Sequence, residues 1–165
     1  MKTKLGLIFG GRSVEHEVSI ITAIETMNHM NKDKYEIIPI YISKQGLLYT
    51  GDILFDLEAY KDMEELMKKV TQITIVNDGE KVNLVRYPIK KFGENVINTI
   101  DVAFPVMHGT NGEDGTIQGY LELINVPYIG CDILSSSIGM DKIIMRKVLK
   151  ESGLPVLDYV TFYSM

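Results

Sequence analysis

His108-Gly-Thr-Asn-Gly-Glu-Asp-Gly-Thr-Ile-Gln-Gly119 is a glycine-rich stretch around which the rest of the chain is organised. The apolar run before it, residues 102–107, predicts a buried strand, and the apolar spacing of residues 117–124 after it predicts a helix. The stretch is therefore a strand-loop-helix junction. In an open α/β sheet such junctions lie at the carboxyl ends of the strands, where ligands usually bind.

The residue types of this loop suit a ligand. Its glycines let the main chain approach a bound group closely, and the helix that follows offers unpaired N–H groups to an anion. Glu113 and Asp114 fall near the start of that helix, where its dipole favours carboxylates, so we interpret both as capping residues. His108 either packs locally or contacts a ligand, and spacing alone leaves both possibilities open.

A second strand-loop-helix unit lies at the start of the chain. Residues 5–9 predict a buried strand that ends in Gly10-Gly11, and the 3.6-residue apolar period predicts a helix from about Glu15 to Met30. Ser13 is the expected N-cap. The dinucleotide pattern GxGxxG is not met here, which argues against a Rossmann cofactor site.

The second unit carries acid in its first helical turn, at Glu15 and Glu17. Carboxylates there compensate the helix dipole and are usually exposed to solvent. A carboxylate at the same place is also well suited to hold a substrate amine. We expect His16 and His29 to be surface residues.

The middle of the chain, roughly residues 46–98, carries no motif that we assign to chemistry. Isoleucine and tyrosine at 35–43 predict a strand before it, and Asn77-Asp78-Gly79 is a typical hairpin turn. The remaining predictions are a short edge strand at 47–49, one or two amphipathic helices at 56–70, and hairpin strands at 73–76 and 82–87.

The last part of the chain continues the alternation of strands and helices. We predict a buried strand at 126–129, one helix at 135–152 that Gly153 and Pro155 end, and a further strand at 158–163. From the pattern alone Lys142, Lys147 and Lys150 are exposed helical lysines. The overall order predicts an α/β fold with a mostly parallel sheet and helices on both of its faces.

Composition excludes several classes of protein. The 165 residues are 45% hydrophobic and 24% charged, as in a soluble globular domain, and the net charge of −5 argues against nucleic acid as a partner. No apolar stretch approaches the length of a membrane span and residues 1–30 lack the layout of a signal peptide, so we expect a cytoplasmic protein. The single Cys131 is expected to be a small core residue, and no metal cluster is expected.

Three strings resemble one family. HGTNGEDGTIQG at 108–119, GGRSVEHEVS at 10–19 and SSSIGMDK at 135–142 are similar to signatures of the D-alanine:D-alanine ligases, which belong to the ATP-grasp superfamily. The resemblance covers essentially the whole chain. It implies a Rossmann-like, substrate-binding pre-ATP-grasp domain at 1–130 and the beginning of an ATP-grasp domain at 131–165.

The resemblance also implies roles for particular residues. The glutamate matching Glu15 holds the ammonium group of the first D-alanine, Val18 lies beside that substrate, and the histidine matching His108 faces its carboxylate. The lysine matching Lys142 contacts ATP phosphate. ATP and Mg²⁺ (or Mn²⁺) are the implied cofactors, with the metal ligands in a second half of the ligase that this sequence does not contain.

The implied activity is ATP-dependent synthesis of D-alanyl-D-alanine through an acyl phosphate, for peptidoglycan. We expect this chain to be an N-terminal fragment that folds but is inactive alone. We also expect a homodimer, with residues 20–30 and 56–70 as candidate contacts. Two alternatives stay open: a ligase that takes D-serine or D-lactate as its second substrate, which Gly130-Cys131-Asp132 and the serine run resemble, and a non-catalytic binding or dimerisation domain.

Overall fold

A computed structural model describes residues 1–162 of the chain. Within these residues the chain forms seven strands and five α-helices. The strands are β1 (Thr3–Gly10), β2 (Tyr35–Ile42), β3 (Leu48–Thr50), β4 (Thr71–Asn77), β5 (Val82–Arg86), β6 (Val96–Ile100) and β7 (Val102–Pro105). The helices are α1 (His16–His29), α2 (Met63–Lys69), α3 (Thr116–Leu123), α4 (Ile133–Met140) and α5 (Lys142–Glu151), with 3₁₀ turns at Asp52–Phe55 and Leu57–Lys61.

Within residues 1–162 the strands form one sheet of order β6-β5-β4-β3-β2-β1-β7. The α/β class is confirmed, but among the strands of the described residues the expected parallel pairing is found only for β1, β2 and β7. β1 pairs parallel with β2 and with β7, whereas the four pairings from β2 through β6 are antiparallel. The reason lies in the connections: α1 carries the chain across a face between β1 and β2, whereas short turns reverse the chain between β2 and β3 and between β4 and β5. The longer connection from β3 to β4, which contains α2, also returns the chain antiparallel. The predicted hairpin at residues 77–79 joins β4 to β5.

The sheet buries a separate apolar core on each face, which confirms helices on both faces. On one face Leu7 and Phe9 of β1 pack with Ala23 and Met27 of α1. On the other face the core includes Ile8 and Ile40 of the sheet and Ile117 and Leu121 of α3. Alternating residues of β1 thus enter opposite cores, as the two-residue period of a strand requires. No helix within residues 1–162 has the length and apolar composition to cross a bilayer.

Residues 126–129, predicted as a strand, make only one isolated parallel bridge, between Ala103 and Tyr128. The N–H of Ala103 donates to Pro127 O at 2.8 Å, and the N–H of Ile129 donates to Ala103 O at 2.9 Å. Pro127 has no N–H, and Asn125 turns the chain with φ of 54° just before it. The pairing therefore ends after one residue pair.

The helix predicted at 135–152 is in fact two helices, α4 and α5. Asp141 between them is extended, and its Oδ1 accepts hydrogen bonds from the N–H groups of Ile143 and Ile144 at 2.9 and 3.0 Å. An N-cap aspartate starts a new helix there instead of continuing the old one. The strand predicted at 158–163 is absent over 158–162, and residue 163 lies outside the described residues.

Cys131 is exposed, so the expectation of a core residue is wrong. It stands in the loop between the bridge at Tyr128 and the start of α4, outside both apolar cores. The amphipathic segment at 56–70 has the predicted form of two short helical pieces, Leu57–Lys61 and α2.

Candidate functional site

The parallel part of the sheet sets the position of both glycine loops. β1 and β7 are neighbours and run in the same direction, so the loops that follow them leave the sheet side by side at its carboxyl edge. From β1 the chain crosses to β2 on one side, and after β7 it forms α3 on the opposite face. Such a reversal between neighbouring parallel strands opens a crevice in which α/β proteins usually bind ligands.

The loop after β1 is a sharp turn that delivers Glu15 to this crevice. Gly10 and Gly11 both have positive φ, 86° and 98°, and the N–H of Gly11 donates to Ile42 O at 2.7 Å. α1 begins at His16, with Glu15 as its N-cap residue. The prediction of Ser13 as N-cap is wrong, because the helix begins after Glu15. Ser13 lies in the turn before the helix, where its Oγ accepts from the N–H of Glu15 at 3.0 Å and stabilises the bend.

Glu15 packs directly against the second glycine loop. A methyl group built on Gly109 would stand only 2.6 Å from Glu15 Oε2 and 2.5 Å from Ser13 Oγ. The carboxylate therefore occupies the space that a side chain at position 109 would take. Gly109 also has φ of 73°, a left-handed conformation that favours glycine.

His108 joins the same face of α1. Its Nε2 lies 3.0 Å from Thr22 Oγ1, and Thr22 is seven residues, or about two helical turns, after Glu15. Val18, spaced between them on that face, is half exposed at 49%. The structure therefore brings three of the predicted site residues, Glu15, Val18 and His108, to one side of α1. Thr22 was not found from the sequence, because a threonine within an amphipathic helix carries no signal of its own.

The 108–115 loop is fixed by its own carboxylates. Glu113 Oε2 accepts from the N–H of Gly109 at 2.6 Å, which folds Glu113 back across the loop. Asp114 accepts from the N–H groups of Asn111 and Thr116 at 2.9 and 3.0 Å, so it bonds the first residue of α3, although the N-cap itself is Gly115. The prediction that Glu113 caps the helix is wrong, because its carboxylate bonds the loop instead.

Partial burial of Asp114 opposes its charged form, but the donors around it outweigh that effect and hold the pKa of the carboxyl below its usual value. A depressed pKa means that the stabilisation is complete above the ordinary pKa of aspartate and is lost as pH falls through the lower, folded-state value. The loop therefore keeps this support at neutral pH.

Two polar side chains tie the loops to each other. Ser19, fully buried on α1, accepts from the N–H of Gly10 at 2.9 Å and donates to Val106 O at 2.9 Å. Asn111 Nδ2 donates to Arg12 O at 2.8 Å. These contacts hold the loop that carries Glu15 at a fixed distance from the loop that carries His108.

His16 is buried, so the expectation of a surface residue is wrong. Only 3% of it is exposed, and its ring meets the ring of Tyr41 edge-on with centroids 5.6 Å apart. As the first residue of α1, it points back under the turn toward β2. His29, by contrast, is exposed as predicted and donates to Glu25 O within its own helix.

Glu17 is exposed as predicted and forms an ion pair with Lys44. The hydrogen bond from Lys44 is the main reason that the pKa of Glu17 lies below its ordinary value.

Lys142 is the first residue of α5 and is exposed. Its Nζ makes no hydrogen bond and no ion pair with any described residue. The contact between Lys142 and ATP stays a prediction. Over residues 1–162, no group of three or more histidine, cysteine, aspartate or glutamate side chains could hold a metal ion.

The fold and the crevice define a class of protein: an α/β domain whose two glycine loops meet beside α1 at the switch point of the sheet. Residues 4–131 match the family model described as the D-ala D-ala ligase N-terminus. The chain belongs to that family. The resemblance that the sequence motifs indicated is thereby confirmed.

Related proteins agree with the match and exceed this chain in length. The chain is 45% identical over 155 residues to the D-alanine–D-alanine ligase of Thermosipho melanesiensis, a match that covers 94% of the chain and 41% of the relative. The solved D-alanine-D-alanine ligase of Coxiella burnetii superposes with a TM-score of 0.80 at 34% identity, over 95% of this chain and 43% of that one. The VanG D-Ala:D-Ser ligase of Enterococcus faecalis gives 0.72 at 33% identity, over 94% and 43%. This chain thus spans about two-fifths of the length of these relatives.

Proposed function

We propose that this chain is the N-terminal part of a D-alanine:D-alanine ligase and that it binds the first D-alanine of the reaction. The observation that carries the proposal is the position of Glu15, whose carboxylate lies against Gly109 of the second loop, on the same side of α1 as His108. The two loops then hold opposite ends of one amino acid. We further propose that residues 1–130 form this substrate-binding domain and that residues 131–165 begin the ATP-grasp domain.

Glu15 suits the ammonium end of that substrate. Its side chain is exposed to the crevice and makes no hydrogen bond or ion pair with the described residues, so both oxygens are available to a cation. It stands at the N-terminus of α1, a position where the helix dipole interacts favourably with negative charge. A charge-assisted hydrogen bond to an ammonium group is about twice as strong as a neutral one.

His108 suits the carboxylate end. If the Thr22 hydroxyl donates to Nε2, the ring carries its proton on Nδ1, which has no partner among residues 1–162. That N–H can donate to a substrate carboxylate. Val18 lies between the two polar groups and contacts the side of the substrate.

In the ligase that we propose, the carboxylate of the first D-alanine attacks the γ-phosphate of ATP and forms an acyl phosphate. The amine of the second D-alanine then displaces phosphate and makes the dipeptide. Glu15 and His108 hold the first substrate in one orientation for this attack. Lys142 contributes positive charge near the ATP phosphates. Magnesium would neutralise phosphate charge, but residues 1–162 hold no fitting set of ligands, and we assign it none here.

A second candidate is a D-Ala:D-Ser or D-Ala:D-Lac ligase. The D-Ala:D-Ser ligase VanG shares this fold at an identity close to that of the Coxiella D-alanine-D-alanine ligase. The first-substrate crevice does not distinguish the two reactions, since D-alanine is the first substrate in both. We also propose a cytoplasmic homodimer for the complete protein, with residues 20–30 and 56–70 as candidate contacts.

The test compares this chain with the full-length protein that contains it. Each is supplied with ATP, Mg²⁺ and D-alanine, ADP release is followed, and the dipeptide is detected by mass spectrometry. We expect dipeptide from the full-length protein only. Parallel mixtures with D-serine or D-lactate show which second substrate is used, and no product in any mixture would mean that the domain binds without turnover.

Glu15→Ala in the full-length protein is the decisive variant. We expect it to lower kcat/KM for D-alanine by about 100-fold, because the substrate ammonium loses its charged partner. Glu17→Ala is the matched control: it removes a carboxylate from the same helical turn, but one that pairs with Lys44 instead of facing the crevice. Equal losses for the two variants would contradict the role of Glu15.

A further inference from the structure

His16 is the buried neighbour of Glu15, and its ring makes two hydrogen bonds. Nδ1 lies 2.7 Å from the carbonyl oxygen of Gly11, and Nε2 lies 3.0 Å from the hydroxyl of Tyr41. We infer that His16 is a positioning residue for the first D-alanine: by holding the Gly11 carbonyl it sets the direction in which Glu15 points. This inference rests on the proposed function and adds a residue to it.

The chemistry of the two partners fixes the tautomer of the ring. A carbonyl oxygen can only accept, so Nδ1 must carry the proton and donate to Gly11. In the neutral ring Nε2 is then an acceptor, and Tyr41 donates its hydroxyl proton to it. The result is a directed chain of hydrogen bonds from Tyr41 through His16 to the turn, in which each bond polarises the next.

These hydrogen bonds from Tyr41 through His16 act on Glu15 because no other group within residues 1–162 holds the Glu15 carboxylate. The side chain has no hydrogen-bond partner of its own there, so the backbone of the turn decides where it points. His16 spans that turn from Gly11 to the first residue of α1 and closes it on the buried side. Ser13 closes it on the exposed side by accepting from the N–H of Glu15.

Two substitutions separate the bonds of the ring. The amide of asparagine places an N–H near the position of His Nδ1, so His16→Asn keeps the bond to Gly11 and loses the bond to Tyr41. The longer glutamine places its amide near Nε2, so His16→Gln keeps the bond to Tyr41 and loses the bond to Gly11. Both variants lose the ring and one of its hydrogen bonds, which makes each the control for the other.

The variants are made in the full-length protein, and KM for D-alanine, KM for ATP and the thermal midpoint are measured for each. We expect His16→Gln to raise KM for D-alanine about tenfold and His16→Asn to raise it about threefold or less, as for the loss of one orienting hydrogen bond. KM for ATP stays within about twofold in both, since the proposed role of the turn is to hold D-alanine and not the nucleotide. His29→Gln, on the exposed end of the same helix, should change none of these values.

Two results would overturn the inference. One is a KM for D-alanine that is equal in the two variants, or higher in His16→Asn than in His16→Gln, while the wild-type protein makes dipeptide. The other comes from the 165-residue chain without any assay of activity: long-range ¹H–¹⁵N spectra report which ring nitrogen of His16 carries the proton, and a proton on Nε2 instead of Nδ1 contradicts the geometry. An inactive wild-type protein would instead refute the proposed function, and the role of His16 would fall with it.

Discussion

At the scale of single residues, the crevice depends on what is missing at position 109. Gly109 has no side chain, and the space beside its Cα is filled by Glu15 Oε2 and Ser13 Oγ. Both are the far ends of side chains that can move, so a methyl group would displace them and not the backbone. A change at this glycine is therefore a way to move Glu15 without mutating it.

Gly109→Ala should impair substrate binding more than folding. The left-handed backbone makes alanine unfavourable at position 109 by about 1 kcal/mol. Gly79→Ala is the control: Gly79 has φ of 94°, so alanine carries the same backbone penalty there, but the added methyl group meets no atom within 4 Å. We expect similar losses of unfolding free energy for both variants in urea. In the full-length protein only Gly109→Ala should raise KM for D-alanine, by about tenfold. A large rise for Gly79→Ala as well would show that the effect is not local.

At the scale of elements, α1 connects the two loops through Ser19. Its hydroxyl is the partner of Gly10 N and Val106 O, one group from each loop, and it is fully buried. Ser19→Ala leaves both backbone groups without a partner, which should cost about 2–3 kcal/mol of unfolding free energy. Thr26→Ala is the control on the same helix, because its hydroxyl only bonds Thr22 O, and it should change stability by less than about 0.5 kcal/mol. Urea unfolding of this chain measures both, and equal losses would contradict the linking role of Ser19.

The elements also show what the sequence could and could not predict. Both strand-loop-helix units were predictable, because apolar period and glycine position are local signals. Of the antiparallel β3–β6 portion only the β4–β5 hairpin was predictable, from its Asn-Asp-Gly turn. The other pairings were not, since strand direction depends on pairing between distant segments. His16 and Ser19 were missed for the same reason: their partners Tyr41 and Val106 are 25 and 87 residues away. Asp141 is a helix-capping residue type inside the last predicted helix, and its bonds to Ile143 and Ile144 divide that helix in two.

At the scale of the whole molecule, burial is concentrated before residue 130. α5 has no buried residue, and α4 has one, Ser136. The chain after α5 exposes apolar side chains, among them Leu157 at 83% and Phe162 at 88%. In the ligase that we propose, this is the surface on which the remainder of the ATP-grasp domain packs. Within the 165-residue chain the same surface has few contacts to stabilise it.

Hydrogen exchange should therefore divide the chain near the proposed domain boundary. An amide opens more readily where few apolar contacts must be broken, so we expect residues 142–151 to exchange about 100-fold faster than α1, although both are helices. Mass spectrometry of peptic peptides measures this in the 165-residue chain and in the full-length protein, and α1 serves as the internal reference in each. In the full-length protein, packing of the following domain should slow exchange in α5 toward that of α1. Equal and slow exchange of α1 and α5 in the short chain would mean that residues 131–162 belong to the same cooperative unit as the sheet, and the boundary at 130 would be wrong.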